Sequence, residues 1–342
     1  MDLRPYIKTE RQLKEGIDLI NSGLLFYQPF ILADDVEVGE GQNFHDQYQD
    51  VKNIHDLNVY APAHDVGNRT QPADLPKFRQ CNEEYRSLYE YVVKEIENRN
   101  GGNIKDLTFA EIGCNTGLSL FSLAKKGAKS CFGYDWNDMH PVFNWLNNVL
   151  GTNVGFRQAH YDNLYHRFME GDVPEVDVMI NTIFTNHQCD PIQFLSYMCD
   201  RARKGVFLWA LIDADRPEAC IVYPNSPPHD ILDTARPFPL YFNNDVRMSE
   251  KLLHITFKCL GFDEVETISP FVPSPAWQYF QTGFRMYYAK RTRDMKSAYW
   301  HSDLSIKNIC TLDTLKHLLV RLGLRPVLKK LLDYKNLMQG KE

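Results

Sequence analysis

The chain has 342 residues, enough for one large domain with additions or for two domains, and its 44% hydrophobic content suffices for a core. Its apolar runs all fall short of the ~18–20 residues of a membrane span, and eight scattered cysteines without a C-x-x-C pair argue against a zinc site and for thiols kept reduced in a cytoplasm. The formal charge of −6 is uneven: from residue 290 onward 12 Lys/Arg face 5 Asp/Glu, so the preceding residues carry −13, which is not the basic body of a protein built to grip nucleic acid.

Residues 1–103 read as an extension ahead of the main domain. The Met1-Asp2-Leu3-Arg4 start has neither a basic stretch nor an apolar run, so no secretory signal is expected and a cytoplasmic location is. Residues 10–22 have a helical pattern, 23–30 are aromatic, and 34–41 are acidic and turn-rich. Residues 42–60 show no clean period, and 61–75 read as loop. Asp74 and Pro76 then suit a helix start, and Tyr85, Leu88, Tyr89, Val92, Val93 and Ile96 predict a helix over 78–98. Arg79, Asn82 and Tyr85 on its first turns have two readings, ligand contact or an ordinary packing face. Residues 98–103 are a turn-rich linker into the core, 104–292.

The core opens on its most informative stretch. Residues 107–112 are short and apolar, as a buried parallel strand would be. Gly113 and Gly117 bracket Cys114, Asn115 and Thr116 in a tight turn where backbone can approach a ligand. A helix over 118–126 ends at Gly127, a second strand covers 130–134, and Asp135 with Trp136 stands at its tip. About 20 residues from glycine turn to acid is the spacing at which a carboxylate reaches a ribose diol in a nucleotide-binding βαβ unit. The full G-x-G-x-x-G dinucleotide pattern is missing, and so is a G-K-[ST] triphosphate motif. Glu111, two residues before the first glycine, would repel a pyrophosphate but suits a ligand with an ammonium or sulfonium group.

Further on, the pattern predicts a helix over 137–150, capped by Asn137-Asp138, and a third strand over 154–159 that runs into His160-Tyr161-Asp162. A fourth strand over 177–184 carries Asn181 and is followed by Thr185, Asn186 and His187. A helix over 191–201 and a fifth strand over 205–211 lead to Asp213 and Asp215. The insertion over 213–245 holds six prolines within 216–244, with Tyr223, His229, Tyr241 and Phe242, and reads as a lid or substrate wall. A helix over 249–260, a strand over 265–269, an aromatic loop over 271–281 and a last strand over 284–290 complete the core.

The pattern E-x-G-x-x-x-G followed by an acid at the next strand tip resembles the class I S-adenosylmethionine (SAM) methyltransferases. That resemblance implies a Rossmann-like, doubly wound, seven-stranded, mostly parallel sheet with a late antiparallel edge strand, and SAM as cofactor. Its binding residues would be Glu111, Gly113, Cys114, Asn115, Gly117, Asp135, Trp136, Asp162 (toward the adenine amino group, or as a helix cap) and Asn181. No metal is expected. Gly127-Ala128, His187 with Pro191, Asp213 and Asp215, Leu240-Tyr241-Phe242 and Cys259-Leu260-Gly261-Phe262 make the central half similar to the bacterial tRNA wobble-uridine carboxymethyltransferases. In that family the residue before the histidine is an aromatic implicated in reading a carboxylated SAM; here it is Asn186, so ordinary SAM is expected. The core also resembles the methyltransferase domains that cap bacterial O-antigen polysaccharides.

Methyl transfer from a sulfonium needs alignment and exclusion of water more than acid or base help. A hydroxyl acceptor gains from a base, for which His187, Asp213, His229 and His160 are candidates, His187 being best placed. Asp213 and Asp215 suit a sugar diol, a metal or a strand-end cap. The basic tail, 293–342, reads as two helices broken near Gly323 to Pro326 with leucine stripes, which suits peripheral contact with an anionic membrane, self-association or docking on the body. Three function classes stay open: a methyltransferase acting on a hydroxyl of a small molecule or glycan, a tRNA-modifying enzyme, and a non-catalytic SAM-fold partner subunit.

Overall fold

The computed structural model describes residues 1–25, 28–39, 75–159, 161–162, 167–168, 173–182, 184–188, 190–213, 220–224, 244–268 and 284–295. Residues 1–296 form one compact unit and 297–342 a second, which lies outside the described residues together with its expected helices. His160, Asp215 and His229 also lie outside them, as do Tyr241 and Phe242.

The extension begins with α1 (Glu10–Asn21), held by a capping box in which Thr9 accepts from the Gln12 N–H and the Gln12 side chain returns the contact. A short hairpin follows, β1 (Phe30–Ala33) against β2 (Val36–Val38), joined by Asp34-Asp35. The long helix α2 (Leu75–Arg99) then leads into the sheet. Its buried stripe of Tyr85, Leu88, Tyr89, Val92, Val93 and Ile96 is the one the sequence spacing predicts. Extension and main domain share one hydrophobic core that includes Leu25, Phe30 and Val38 alongside Leu118, Phe121, Phe143 and Leu146.

The main domain alternates strand and helix: β3 (Thr108–Ile112), α3 (Leu118–Lys125), β4 (Ser130–Asp135), α4 (His140–Leu150) and β5 (Gly155–Gln158). Two-residue strands β6 (Tyr161–Asp162) and β7 (Arg167–Phe168) pair with each other. Then come β8 (Val176–Thr182), α5 (Pro191–Arg201), β9 (Ala202–Asp213), β10 (Cys220–Pro224), β11 (Asn244–Ser249), α6 (Glu250–Cys259), β12 (Glu264–Ile268) and β13 (Phe284–Lys290). Strands β5, β4, β3, β8 and β9 lie side by side in that order and all parallel. β13 runs antiparallel beside β9, and β12 antiparallel beside β13. This is the expected doubly wound, mostly parallel sheet, but its late antiparallel strand, β13, lies between β9 and β12 rather than at the edge. The central strands are buried over most of their length: β9 carries the unbroken apolar run Val206 to Ile212, and β8 is buried from Val176 to Asn181 although Asp177 and Asn181 interrupt its apolar residues.

Three local differences have physical causes. First, β9 runs to Asp213 rather than stopping at Leu211: β13 pairs only as far as Leu211, and Ile212 and Asp213 pair instead with Met248 and Ser249 of β11. Second, part of the stretch expected to be all loop forms the antiparallel pair β10–β11, so among the described residues nine strands join the sheet rather than seven. Third, α4 starts at His140, not at residue 137. The Asp135 carboxylate accepts the Asn137 N–H at 3.0 Å, and Asp138 accepts the His140 N–H at 3.1 Å, so 136–139 form a turn ahead of the helix.

Candidate active site

The candidate residues cluster at the C-terminal edge of the parallel strands. β3 ends in the turn formed by Gly113 to Gly117, with left-handed backbone at Gly113 (φ 73°), Asn115 (φ 49°) and Gly117 (φ 77°). The first and last of these require glycine for conformation and also for space. A Cβ on Gly113 would lie 2.5 Å from the Phe184 ring, and one on Gly117 would lie 2.6 Å from Phe143. At both glycines an aromatic ring fills the space that a Cβ would take. The turn hangs from β4, since the N–H groups of Gly113 and Cys114 both donate to the Tyr134 carbonyl, at 2.7 and 3.3 Å.

Glu111 is fully buried in the middle of the sheet, in register with Gly133 on one side and Ile180 on the other. Its Oε1 accepts a hydrogen bond from the Thr182 hydroxyl at 2.8 Å. Its Oε2 has no hydrogen-bond partner among the described residues. Burial pushes the carboxyl up to about 8, against the Thr182 bond, and the neighbouring Asp135 charge adds a smaller push in the same direction.

Asp135, 5% exposed, stands one strand over at the tip of β4. Its Oδ2 accepts the Asn115 N–H at 2.8 Å and its Oδ1 the Asn137 N–H, so it links the glycine turn to the turn before α4. Burial raises its carboxyl above the ordinary aspartate range, opposed by the backbone N–H groups of Asn137, Asn115 and Trp136. The Trp136 side chain, 47% exposed, projects from the same strand tip, and its carbonyl accepts from Gln158 Nε2 at 3.0 Å. The Cys114 side chain points away from reactivity: it is buried beside Gly133, and burial pushes its thiol well above its ordinary value.

The remaining candidates divide. Asn181 is tied within the protein, its Nδ2 donating to the Ile112 carbonyl at 2.9 Å and its Oδ1 accepting from both the N–H (3.1 Å) and the hydroxyl (2.6 Å) of Thr185. It thereby locks the ends of β3 and β8 together. His187 closes the short turn Thr185–His187 after β8; its side chain lies outside what the structure describes. Asp213 ends β9 at the same sheet edge, partly exposed and opposite Ser249. Asp162 is described only as a backbone partner of Arg167 in β6–β7. Of the α2 residues, Asn82 is fully buried and donates to the Val38 carbonyl at 3.4 Å, and Tyr85 joins the core.

Several site residues carry no local sequence signal. Thr182 is the partner of Glu111, and Phe184 packs against Gly113 and, edge-on at 5.6 Å, against Phe194. Ser119, in the first turn of α3, is buried with a hydroxyl that has no hydrogen-bond partner among the described residues. Gln28 reaches the glycine turn from the extension.

No family model matches the chain. It is 26% identical over 108 residues to a tRNA U34 carboxymethyltransferase of Campylobacter fetus subsp. fetus (strain 82-40), a match covering 30% of this chain. The chain thus spans about a third of that relative, 35% of its length. Among solved structures it is similar to magnesium protoporphyrin IX methyltransferase (ChlM) from Synechocystis PCC 6803 with bound S-adenosylhomocysteine (SAH), at 15% identity over 65% of this chain and 89% of that one, TM-score 0.41. It is also similar to the 1,6-didemethyltoxoflavin-N1-methyltransferase of Burkholderia thailandensis, at 13% identity over 60% and 79% of the two chains, TM-score 0.40.

Proposed function

We propose that this protein is a SAM-dependent methyltransferase that transfers a methyl group to a hydroxyl of a small molecule or glycan. The observation that carries the reading is Glu111: a fully buried carboxyl at the head of the glycine turn, with its Oε2 buried and without a hydrogen-bond partner among the described residues, and Asp135 at the neighbouring strand tip. In this reading Glu111 faces the charged methionine part of the cofactor and Asp135 the ribose diol. Gly113, Cys114, Asn115 and Gly117 supply the turn. Trp136 and Asp162 border the adenine, and Asn181 acts indirectly, by holding the strand ends together. His187, Asp213 and His229 are the candidate catalytic groups, with His187 as the base that takes the acceptor's proton. The acidic body suits a neutral sugar or small molecule better than a polyanion.

A second reading, a tRNA-modifying enzyme acting on the wobble uridine, draws on the 108-residue similarity to the Campylobacter fetus enzyme.

Calorimetric titration with SAM and with SAH tests the cofactor. Roughly micromolar binding, lost in both Glu111→Ala and Asp135→Ala, is the expected result; well-folded protein that binds neither ligand overturns the reading. Acceptor screening then separates sugars and small hydroxylated molecules from tRNA. With an acceptor in hand, His187→Ala should lower turnover roughly 10²–10⁴-fold with SAM affinity kept, and unchanged turnover would remove His187 from the chemistry.

A further inference from the structure

We propose that Gln28 is a positioning residue of the cofactor site: its side chain, delivered by the extension, fixes the glycine turn in the shape that receives SAM. The inference rests on the SAM reading above. Gln28 is 2% exposed and sits just before β1, far in sequence from the turn it serves. Its Oε1 accepts from the Thr116 hydroxyl at 2.6 Å and from the Leu118 N–H at 2.8 Å. Its Nε2 makes longer contacts, donating to the Tyr89 hydroxyl at 3.3 Å and the Cys114 carbonyl at 3.4 Å. One uncharged amide therefore joins three parts of the chain: the extension, α2 and the turn. A carboxamide suits this task because it accepts and donates at once without carrying a charge into the core.

The turn needs such help. Its N-cap, Gly117, has no side chain to satisfy the first N–H groups of α3, and Gln28 supplies the missing acceptor at Leu118. Asn115 sits at φ 49°, in the left-handed region that asparagine tolerates better than other residues with a Cβ, and its own Oδ1 accepts the Thr116 N–H at 2.7 Å; contacts from outside the turn add to that support. Those contacts come from two directions. Asp135 takes the Asn115 N–H, and Gln28 takes Thr116 and Leu118 and gives to Cys114. Release of the Gln28 side leaves a buried N–H and a buried hydroxyl without acceptors and frees the turn to shift against Asp135. The extension thus completes the site, in addition to any role in covering it.

The test compares full-length wild type with Gln28→Met, which fills similar volume without hydrogen bonds, by SAM titration and by amide hydrogen exchange. Affinity should drop roughly tenfold to a hundredfold. Exchange should speed up at residues 114–118 while β8 and β9 stay protected, which a general loss of packing would not produce. Thr116→Val removes a single partner and should give a smaller loss that does not add to that of Gln28→Met; it also serves if Gln28→Met fails to fold. Wild-type affinity and wild-type exchange in Gln28→Met, or in Thr116→Val where that variant stands in, would overturn the role of Gln28 alone. Wild-type protein that binds no SAM would overturn the cofactor reading, and this proposal with it.

Discussion

At the scale of single residues, Glu111 sets stability against ligand binding. An ordinary glutamate releases its proton near 4.5, whereas buried Glu111 holds its proton up to about 8. Between those values the folded state binds a proton that the unfolded state has lost, so this group's contribution to stability falls as pH rises through that window. Glu111→Gln, which resembles the protonated acid, should leave the melting temperature nearly unchanged at pH 5 and raise it by several degrees at pH 8, measured by differential scanning calorimetry. A cation beside Oε2 has the opposite preference, since it favours the carboxylate and lowers its pKa. Binding SAM below pH 8 should therefore release a proton. Affinity should climb by up to about tenfold per pH unit between roughly 6 and 8, because one titrating group sets that limit. Titrations in buffers of different ionisation heat count the released proton directly. A flat affinity profile in wild type would place the positive charge of the ligand away from Glu111; in Glu111→Gln a flat profile is the expected one.

Among the elements, α1 shows how closely the extension is fitted to the main domain. Trp145 on α4 donates its indole N–H to the Gln12 carbonyl at 2.9 Å, and Gly16 on α1 faces the same ring. A Cβ on Gly16 would lie 2.5 Å from Trp145 and 2.7 Å from Leu32. Replacing a mid-helix glycine by alanine normally stabilises by about 1 kcal/mol. Overpacking a fitted contact costs about 1–3 kcal/mol, and the indole is anchored by its hydrogen bond, so Gly16→Ala should destabilise on balance. Urea denaturation at constant m-value checks the sign. The same contacts mark what could be read in advance. The parallel strands and α2 declare themselves through apolar runs and 3–4 spacing, and Glu111, the two glycines and Asp135 through their order along the chain. β1 and β2 are three or four residues long, too short for a period to emerge. β11 reads Asn-Asp-Val-Arg-Met-Ser and becomes a strand largely because β10 pairs along it and the tip of β9 extends past β13. Gln28 and Thr182 are found only through hydrogen bonds that span 90 and 71 residues, and no local pattern records such a partner.

For the whole molecule, charge decides between the two acceptor classes. The residues before 290 carry −13 and residues 290–342 carry +7, of which 297–342 hold +4 (8 Lys/Arg against 4 Asp/Glu), so a polyanion meets a repulsive body and an attractive tail. Residues 1–296 form a compact unit of their own, which makes a chain ending at Lys296 a fair comparison with the full one. If tRNA is the acceptor, its recognition must reach the sheet edge where Asp135, Asp213 and the turn before His187 gather, and affinity should distinguish tRNA from unstructured RNA. If the acceptor is a sugar or small molecule, RNA binding is a property of the tail alone. The expected result is the second. Fluorescence anisotropy with tRNA and with polyuridylate should give similar affinities for the full chain. The log–log salt slope should be about −2 to −4, as roughly 3–5 phosphate contacts produce. The chain ending at Lys296 should bind neither RNA while keeping its SAM affinity within about twofold, a change of under roughly 0.5 kcal/mol. Preferential tRNA binding that survives removal of the tail would instead favour the wobble-uridine reading, because the selectivity would then reside in the unit that holds the cofactor site.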